Sequence, residues 1–405
     1  MDNHLLPIIH FTEEVMSKGD GSWVYDTEGN KYLDLNSGQF CVALGHSNEE
    51  VLDKIFAKAR NIVHTASNIY TDEVAVCSNK LNELSGDMDA YSILLSTGSE
   101  AVEFCMRFSK FIKGREGVVC FDKGYHGLTL GSQTITFGGK FAKPHVDDIG
   151  TVNVPTTDEE AVRSAAELDK LLSTGQYASV VVEPIVSVGG MLYPPKKWFD
   201  LLREVCDKND TILIFDESQT GFGRTGKWFA YQAFDTVPDM VILAKSVGLG
   251  FPVSVAMFKK EFVPDDVYRM SHYSSHQNDS FAAAIINTAV EYIEKHDVLS
   301  GITSRGNYFL SRLKGLEEKN EHIKDARGHG LMLGCDLYYE GVDDYRPLYA
   351  TLYDRMIKNG VIIQGTNGGR TLRFLPDYLI EEKDIDFAID TLDRVLEELQ
   401  ETNNE

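Results

Sequence analysis

A lysine and an aspartate each follow an apolar run that has the length of a buried strand. Lys245 follows the apolar residues 240–244, and Asp216 follows the β-rich run 211–215. Charged side chains at the ends of two buried strands contribute little to packing. They suit a cofactor that needs an amine for an imine and a carboxylate for a protonated ring nitrogen. Pyridoxal phosphate needs both, because its aldehyde forms a Schiff base with lysine and its protonated ring acts as an electron sink.

The structural alternative is an aspartate that caps a helix and a lysine exposed on the surface. The rest of the chain favours an enzyme. Its 405 residues suggest two or three domains with a buried core, and its 43% hydrophobic and 25% charged residues are typical of globular proteins. No apolar stretch has the length of a membrane span, and the N-terminus lacks the basic start and apolar core of a signal peptide.

Cysteine spacing and net charge restrict the location and the partners. The six cysteines are scattered without CxxC pairs. This pattern argues against a zinc site or a disulfide framework and predicts a cytoplasmic location, because the cytosol is reducing. The formal charge of −23, without any cluster of Lys and Arg, excludes nucleic acid as a partner. We therefore expect small-molecule partners, no membrane partner and no metal site.

Segments with strand character alternate with helical segments through the middle of the chain. The first strand of this middle region is predicted at residues 92–97. Gly98-Ser99 then forms a turn, and an apolar stripe with helical spacing begins at Ala101. Such alternation predicts an α/β fold with a mostly parallel sheet covered by helices on both faces. The other candidate strands are residues 118–121, 180–183, 211–215, 240–244 and 253–258.

Changes in pattern divide the chain into three predicted parts. A β-hairpin is predicted at residues 23–35, within an N-terminal segment 1–45. Long helices with a few strands begin after Phe281. We expect residues 46–280 to form the large domain that binds the cofactor. Residues 281–405 are expected to form a smaller α+β domain that packs with the N-terminal segment.

Two glycine motifs suggest a nucleotide but fail in their context. Gly221, Gly223 and Gly226 match GxGxxG, and the same stretch matches the first seven positions of a P-loop. A P-loop needs Ser or Thr after its lysine, and this chain has Trp228 there. A dinucleotide turn would bring pyrophosphate to a strand end that carries two carboxylates, which is unfavourable without a metal. We therefore discount a nucleotide-binding protein.

The chain resembles the class III (ω-type) aminotransferases, which are fold-type I pyridoxal-phosphate enzymes. The most specific segments are DESQTGFGRTG at residues 216–226 and PDMVILAKSVGLGFP at residues 238–252, and the resemblance extends from Trp23 to the last helix. It implies a homodimer with shared active sites and a ping-pong transamination. Lys245 would bond the cofactor and act as general base, and Asp216 would keep the ring nitrogen protonated.

Residues 96–103, STGSEAVE, resemble the phosphate-binding turn of the family. A strand that ends at Gly98-Ser99 and opens a helix presents free N–H groups and the positive end of the helix dipole to an anion. An ordinary capped helix start is the structural alternative. Residues 272–280 resemble the segment that reaches the neighbouring subunit's site. Ser275 would there contact the phosphate, where the family has Thr.

Further cofactor contacts are implied by the resemblance alone. Tyr125 is expected against one face of the pyridine ring, with His126 beside it, although a Tyr-His pair in a loop is more often structural. Glu183 is expected to buttress the cofactor region, and Gln219 to hydrogen-bond the ring oxygen. Ser218 stands where the family has an aliphatic residue that packs on the ring.

Two more departures from the family lie outside the cofactor contacts. Val188 replaces a Glu of the family that pairs with an Arg when the substrate end is uncharged, and Asp279-Ser280 replaces Asn-Pro. The resemblance gives the carboxylate-binding role to Arg373, which has lost that Glu. A guanidinium in a cleft without a built-in carboxylate partner favours the carboxylate of a substrate. At least one half-reaction should therefore use an amino or keto acid. A surface arginine on a late strand is the structural alternative.

Phe40, Cys41 and Tyr70 are candidate residues of the substrate pocket.

Other functions on the same scaffold stay open. An aminomutase of the glutamate-1-semialdehyde type or an amino-acid racemase would share the residues named above and differ in whether a cosubstrate is required. A non-catalytic pyridoxal-sensing regulator would need a basic DNA-binding module, which this acidic chain lacks.

Overall fold

The computed structural model describes residues 4–6, 8–9, 12–140 and 149–403. Its strands are β1 (Met16–Asp20), β2 (Trp23–Asp26), β3 (Lys31–Asp34), β4 (Ala90–Leu95), β5 (Gly117–Phe121), β6 (Ile149–Val152), β7 (Tyr177–Val182), β8 (Ile212–Asp216), β9 (Met240–Leu243), β10 (Ser254–Lys259), β11 (Ile323–His329), β12 (Met332–Leu337), β13 (Val361–Ile362), β14 (Gln364–Thr366) and β15 (Thr371–Phe374). Its α-helical segments are α1 (Ser37–Phe40), α2 (Glu49–Ala59), α3 (Asp72–Leu84), α4 (Gly98–Lys113), α5 (Asp158–Leu172), α6 (Lys196–Lys208), α7 (Tyr231–Phe234), α8 (Ser280–Lys295), α9 (Val298–Lys319), α10 (Arg346–Lys358) and α11 (Glu382–Asn403).

A seven-stranded sheet with the order β4-β10-β9-β8-β7-β5-β6 forms the centre of the fold. Strands β5 to β9 pair in parallel, and β10 pairs antiparallel with both β9 and β4. Only β10 therefore runs in the opposite direction within this sheet. The prediction of a mostly parallel α/β sheet is confirmed.

Alternate residues of the central strands face opposite sides of the sheet, and both sides are covered. On β8, Leu213 and Phe215 join one apolar cluster, whereas Ile212 and Ile214 join another that contains residues of α4. All five residues of β8 are buried, including the aspartate at its end. A buried charge needs a partner inside the protein, so the buried carboxylate at this strand end indicates a candidate functional site.

Two smaller sheets lie beside the central one in the chain's N-terminal and C-terminal parts. The hairpin predicted at residues 23–35 is present as β2 and β3, and β13 joins β3 in parallel with Val361 opposite Leu33. The other sheet has the order β11-β12-β15-β14. The N-terminal hairpin thus hydrogen-bonds with a C-terminal strand. The domain boundaries near residues 45 and 280 stay predictions.

Strands β6 and β4 of the central sheet differ from the sequence-based expectations. β6 has no counterpart among the predicted strands, because four residues with a glycine at a sheet edge give no clear apolar pattern. The strand predicted at residues 92–97 ends at Leu95, since Thr97 caps α4 and accepts a hydrogen bond from the Glu100 N–H.

Across the described part of the chain, every helix is too short or too polar for a bilayer crossing.

Candidate active site

The carboxyl ends of two neighbouring parallel strands bring Asp216 and Lys245 together. Asp216 is the last residue of β8, where it pairs with Ile242 of β9, and Lys245 comes two residues after β9 ends. Both side chains line a cleft of about 470 Å³. Open α/β sheets bind their ligands at this edge, outside the carboxyl ends of the strands.

The backbone at Lys245 is held in an unusual conformation. Lys245 begins a single helical turn, Lys245–Gly248, with a left-handed φ of 51°. Such strain in a residue other than glycine is found at functional sites, where the surrounding structure must aim a side chain. Burial lowers the pKa of the Lys245 amine, although the carboxylates of Asp216 and Glu183 act in the opposite direction. A neutral amine, which imine formation requires, is therefore more accessible here than at an exposed lysine.

Asp216 is held as a carboxylate by two hydrogen bonds. His126 Nδ1 lies 2.8 Å from Asp216 Oδ2, and the Ser218 N–H donates to Oδ1 over 3.1 Å. Burial raises the pKa of Asp216, but hydrogen bonding and the charge of His126 outweigh burial and hold the pKa below its ordinary value. The resemblance places His126 beside Tyr125 at the ring face. The structure shows in addition that His126 is paired with the catalytic carboxylate candidate.

Glu183 holds the loop that carries Tyr125. It follows β7, and its Oε1 accepts a hydrogen bond of 2.8 Å from the Tyr125 N–H. Burial raises the pKa of Glu183 to about 7, against the opposing charge of His126. Tyr125 lines the cleft and Glu183 does not. A buttress role for Glu183 would therefore act through the main chain of Tyr125.

Glu217 has a structural task, in contrast to the aspartate before it. Its Oε2 and Oε1 accept hydrogen bonds from the N–H groups of Ala230 and Tyr231, over 2.6 and 2.9 Å. These N–H groups open α7. Burial raises the pKa of Glu217 to about 7. Of the two adjacent acids, Asp216 lies in the cleft and Glu217 holds the following loop.

The start of α4 closes one end of the cleft. Thr97, Gly98 and Ser99 all line it. A Cβ on Gly98 would lie 3.2 Å from the Ala244 Cβ, so glycine lets the helix start approach the residue before Lys245. N–H groups in the first turn lack intrahelical partners, and the helix dipole attracts anions. This end of the cleft therefore suits a phosphate group.

Arg373 lies in the cleft as a buried cation. Its Nη1 donates to Ser187 Oγ over 3.1 Å, and its Nη2 donates to Gln364 Oε1 over 2.5 Å. The guanidinium carbon lies 4.5 Å from the centroid of the Phe40 ring. Burial lowers the pKa of Arg373 to about 10, so the group is still charged at neutral pH. Among the described residues, its side-chain hydrogen-bond partners are thus uncharged.

The glycines of the GxGxxG motif serve packing and chain reversal. A Cβ on Gly221 would lie 2.5 Å from Leu243 Cδ2. Gly223 and Gly226 have φ values of 101° and 84°, which favour glycine. Arg224, between them, is completely buried. This loop is part of the protein interior, which agrees with the rejection of a nucleotide site.

Most of the predicted site residues meet in this one cleft. Those that line it are Phe40, Gly98, Ser99, Tyr125, His126, Asp216, Ser218, Gln219, Lys245 and Arg373. Cys41 lines it as well. Ser275 is exposed and lies outside the cleft of its own chain. Tyr70 is 74% exposed and likewise lies outside the cleft of its own chain, so its contribution to the pocket stays a prediction.

Comparison with known proteins assigns the family. Residues 10–396 match the family described as Aminotransferase class-III. This span contains every residue of the cleft. The chain belongs to the class III aminotransferases.

This class III aminotransferase is similar to transaminases in both sequence and fold. The acetylornithine aminotransferase of Methanocaldococcus jannaschii is 32% identical over 398 residues, which cover 95% of this chain and 94% of that protein. The LysW-aminoadipate semialdehyde/glutamate semialdehyde transaminase of Sulfolobus acidocaldarius is 30% identical, covering 93% and 92% of the two chains. A solved Bacillus anthracis aminotransferase has 25% sequence identity and a TM-score of 0.90, covering 98% and 96% of the two chains.

Class III aminotransferases depend on pyridoxal phosphate, and the donors in the cleft fit this cofactor. Lys245 offers an amine for its aldehyde, Asp216 an anion for its ring nitrogen, and the start of α4 a positive end for its phosphate. Three polar atoms of the cleft residues are also buried without a hydrogen-bond partner in the described structure, Gln219 Oε1, His126 Nε2 and Arg373 Nε. Buried polar atoms normally have partners, so these three are free to receive a ligand.

Proposed function

We propose that this class III aminotransferase moves an amino group between a donor and an acceptor, at least one of which binds Arg373 through a carboxylate. The observation that carries the proposal is the buried guanidinium in the cleft, bonded to the neutral groups of Ser187 and Gln364. A desolvated cation of this kind attracts a carboxylate strongly and in bidentate geometry. The Methanocaldococcus relative is named an acetylornithine aminotransferase, and acetylornithine is an amino acid with a free carboxylate.

The residues of the cleft divide the work of amino transfer. Pyridoxal phosphate, when bound, supplies an aldehyde for the amino group and a conjugated ring that withdraws electrons. Lys245 Nζ would hold the cofactor through its aldehyde, and as a free amine it would be the base for the proton on the substrate carbon that bears the amino group. Its lowered pKa supports this role, because a general base must be neutral near the working pH. Asp216 would keep the ring nitrogen protonated, and the hydrogen bond with His126 favours the ionised form of that carboxylate.

The remaining cleft residues bind and orient. Gly98 and Ser99 at the start of α4 would hold the phosphate. Tyr125, fixed by Glu183, would cover the ring, and Gln219 would hydrogen-bond the ring oxygen. These assignments are supported by the positions of Gly98, Ser99, Tyr125 and Gln219 in one cleft.

The proposal includes a homodimer whose two active sites are each built from both subunits. It also includes a cytoplasmic location. Ser275 is exposed and absent from the cleft of its own chain, which leaves it available to a partner subunit's cleft. The large side chains of Tyr268 and Tyr273, in the same part of the chain, are 78% and 77% exposed. Exposed aromatic groups of this kind are typical of interaction surfaces. A reducing compartment is supported by six cysteines that are all free.

Matched amines test the proposal through the visible spectrum of the purified enzyme. 4-Aminobutyrate and butylamine share an amine and a chain of similar length but differ in the carboxylate, and glutamate, ornithine and N-acetylornithine extend the series. We expect the cofactor band to bleach with a carboxylate-bearing donor and to persist with butylamine, because Arg373 has a partner only in the first case. An equally strong response to butylamine would contradict the role of Arg373. A band that persists with every donor would favour the aminomutase or racemase alternatives.

A further inference from the structure

Two histidines and one aspartate form a cluster outside the cofactor cleft. Nδ1 of His64 and Nδ1 of His276 lie 2.8 and 2.7 Å from the same oxygen, Oδ2 of Asp279. The donor atoms of the three side chains all lie within 4.8 Å of one another. The two imidazole rings have centroids 5.0 Å apart and planes inclined by 48°. Three potential metal ligands thus converge on one point from two separate segments of the chain.

The carboxylate of this cluster is fixed, whereas the imidazoles are free to adjust. Asp279 caps α8, and its Oδ1 accepts a hydrogen bond of 2.8 Å from the Phe281 N–H. Its side chain is 8% exposed, against 41% for His64 and 64% for His276. The oxygen that both histidines share is therefore held in place from the protein side, and the cluster is exposed on its other side in the single subunit.

We propose that His64, His276 and Asp279 bind a divalent transition-metal ion, with Zn²⁺ as the probe. Two imidazole nitrogens and one carboxylate oxygen, with a further position left to water, are a donor set that zinc accepts. Donor atoms around tetrahedral zinc lie roughly 3.3 Å apart, as expected from bonds of about 2.0–2.1 Å. The cluster must therefore open by about 0.5 Å, which rotation of two exposed rings provides. Each neutral ring would then carry its one N–H proton on Nε2, so that Nδ1 is free to bind the ion. Solvent exposure of the rings permits this change of tautomer.

The identity of residue 279 supports a charged ligand over a simple helix cap. The resemblance to the class III family predicts Asn-Pro where this chain has Asp279-Ser280. Asn and Asp cap helices about equally well, so capping of α8 does not require the negative charge. The carboxylate does supply the anionic ligand that two neutral imidazoles lack. Cysteine spacing, which argues against a zinc site elsewhere, has no bearing on histidine ligands.

The site adjoins the cofactor cleft. His64, His276 and Asp279 line a separate pocket of about 220 Å³, which shares Ser96, Phe251, Pro252 and Val253 with that cleft. A bound ion would tie together the loop at residue 64 and the segment that follows Ser275. The consequence for Ser275 depends on the proposed function, whereas binding of the ion itself does not.

The test measures Zn²⁺ binding to the holoenzyme after removal of metals with a chelator. Calorimetry gives the number of ions and the affinity, and the visible bands of Co²⁺ report the donor geometry. We expect one ion per chain, with affinity at least about tenfold weaker in His64→Ala, His276→Ala and Asp279→Asn. Asp279→Asn keeps the helix cap and removes the charge. His272→Ala removes a histidine of the same segment that is outside the cluster, and it should bind Zn²⁺ as the unchanged protein does.

Two results would overturn the metal site: no Zn²⁺ binding tighter than about 1 mM, or equal binding by the unchanged protein and the three variants. Circular dichroism and the cofactor band of each variant show that it is folded. Failure of amino transfer with intact Zn²⁺ binding would contradict the proposed function alone. Intact amino transfer without Zn²⁺ binding would contradict the metal site alone.

Discussion

At the scale of single residues, burial and hydrogen bonding separate the protonation states of the cleft. Burial lowers the pKa of Lys245 and raises the pKa of Glu183 to about 7. Asp216 is buried as well, yet its bonds to His126 and Ser218 keep its pKa low. One edge of the sheet therefore holds an amine shifted towards its neutral form and a carboxylate kept charged. This combination suits acid-base catalysis, because a neutral amine can accept a proton while the carboxylate supplies a fixed negative charge.

The lowered pKa of Lys245 predicts how cofactor attachment depends on pH. Raising the pH through this lowered pKa converts the amine to its reactive neutral form, so the attachment rate rises and then levels off. The plateau should begin at a lower pH than it does for an ordinary lysine, whose pKa is about 10.4. Stopped-flow growth of the visible band after pyridoxal phosphate is added to the apoenzyme measures this, with a lysine peptide as the reference. A rate that follows the peptide's pH profile would contradict the account.

Val188→Glu should reduce the preference for carboxylate substrates. Val188 and Arg373 line the same cleft, and a carboxylate at position 188 would pair with the guanidinium. We expect KM for a carboxylate-bearing donor to rise on the order of tenfold, since the substrate must then compete for Arg373. Val188→Gln, similar in size but uncharged, is the matched control and should leave KM near its original value. Equal effects of the two substitutions on KM would point to volume rather than charge.

At the scale of elements, the sequence reveals the strand ends but not which side chains meet there. The apolar runs before Asp216 and Lys245 predict buried strands, and Thr97 with Glu100 carries a readable capping pattern. The contact of His126 with Asp216 joins residues 90 positions apart, and no local pattern signals it. The partners of Arg373 are equally hidden, because Ser187 lies 186 positions away. Side-chain partners of this kind are fixed by tertiary packing.

The cap of α4 should matter for the cofactor as well as for stability. Thr97→Ala removes the hydrogen bond from the Glu100 N–H and should cost about 1 kcal/mol of unfolding free energy. Since Thr97 also lines the cleft, pyridoxal phosphate should bind more weakly. Thr157→Ala removes the corresponding bond of α5, which is likewise 3.2 Å long and lies away from the cleft. Denaturant unfolding and cofactor titration of both variants measure the two effects.

The comparison of the two caps separates cofactor binding from general stability. Both variants should lose similar stability, and only Thr97→Ala should lose affinity for pyridoxal phosphate. Equal cofactor affinity in the two variants would contradict a role of this helix start in binding the phosphate.

At the scale of the whole molecule, the cleft depends on distant parts of the chain. Phe40 comes from the N-terminal segment, Lys245 from the central sheet and Arg373 from the C-terminal sheet. The buried Arg224 joins these parts, since it donates to the carbonyls of Leu331 and Pro376. Positions near residues 40 and 373 therefore become site residues only after the central and C-terminal sheets have packed.

Hybrid dimers test whether active sites are shared between subunits. Lys245→Ala removes the essential amine, and Ser275→Asp should repel the cofactor phosphate of the neighbouring site. Each homodimer should then be nearly inactive. A renatured equimolar mixture should regain about a quarter of the original activity, because half of the dimers carry one intact site of two. Ser271→Asp, outside residues 272–280, is the control and should be active alone. A mixture without regained activity would contradict shared sites built with Ser275.

The most direct test of the central claim compares Arg373→Gln with the unchanged enzyme on paired donors. The best carboxylate-bearing donor is measured beside its counterpart that lacks only the carboxylate, and the ratio of their kcat/KM values is the result. Removal of one partner of a buried charge pair costs about 2–5 kcal/mol, so this ratio should fall on the order of 10²-fold. Arg373→Gln should leave the cofactor band and the uncharged donor almost unaffected. An unchanged ratio would contradict the account, because carboxylate recognition would then lie elsewhere in the protein.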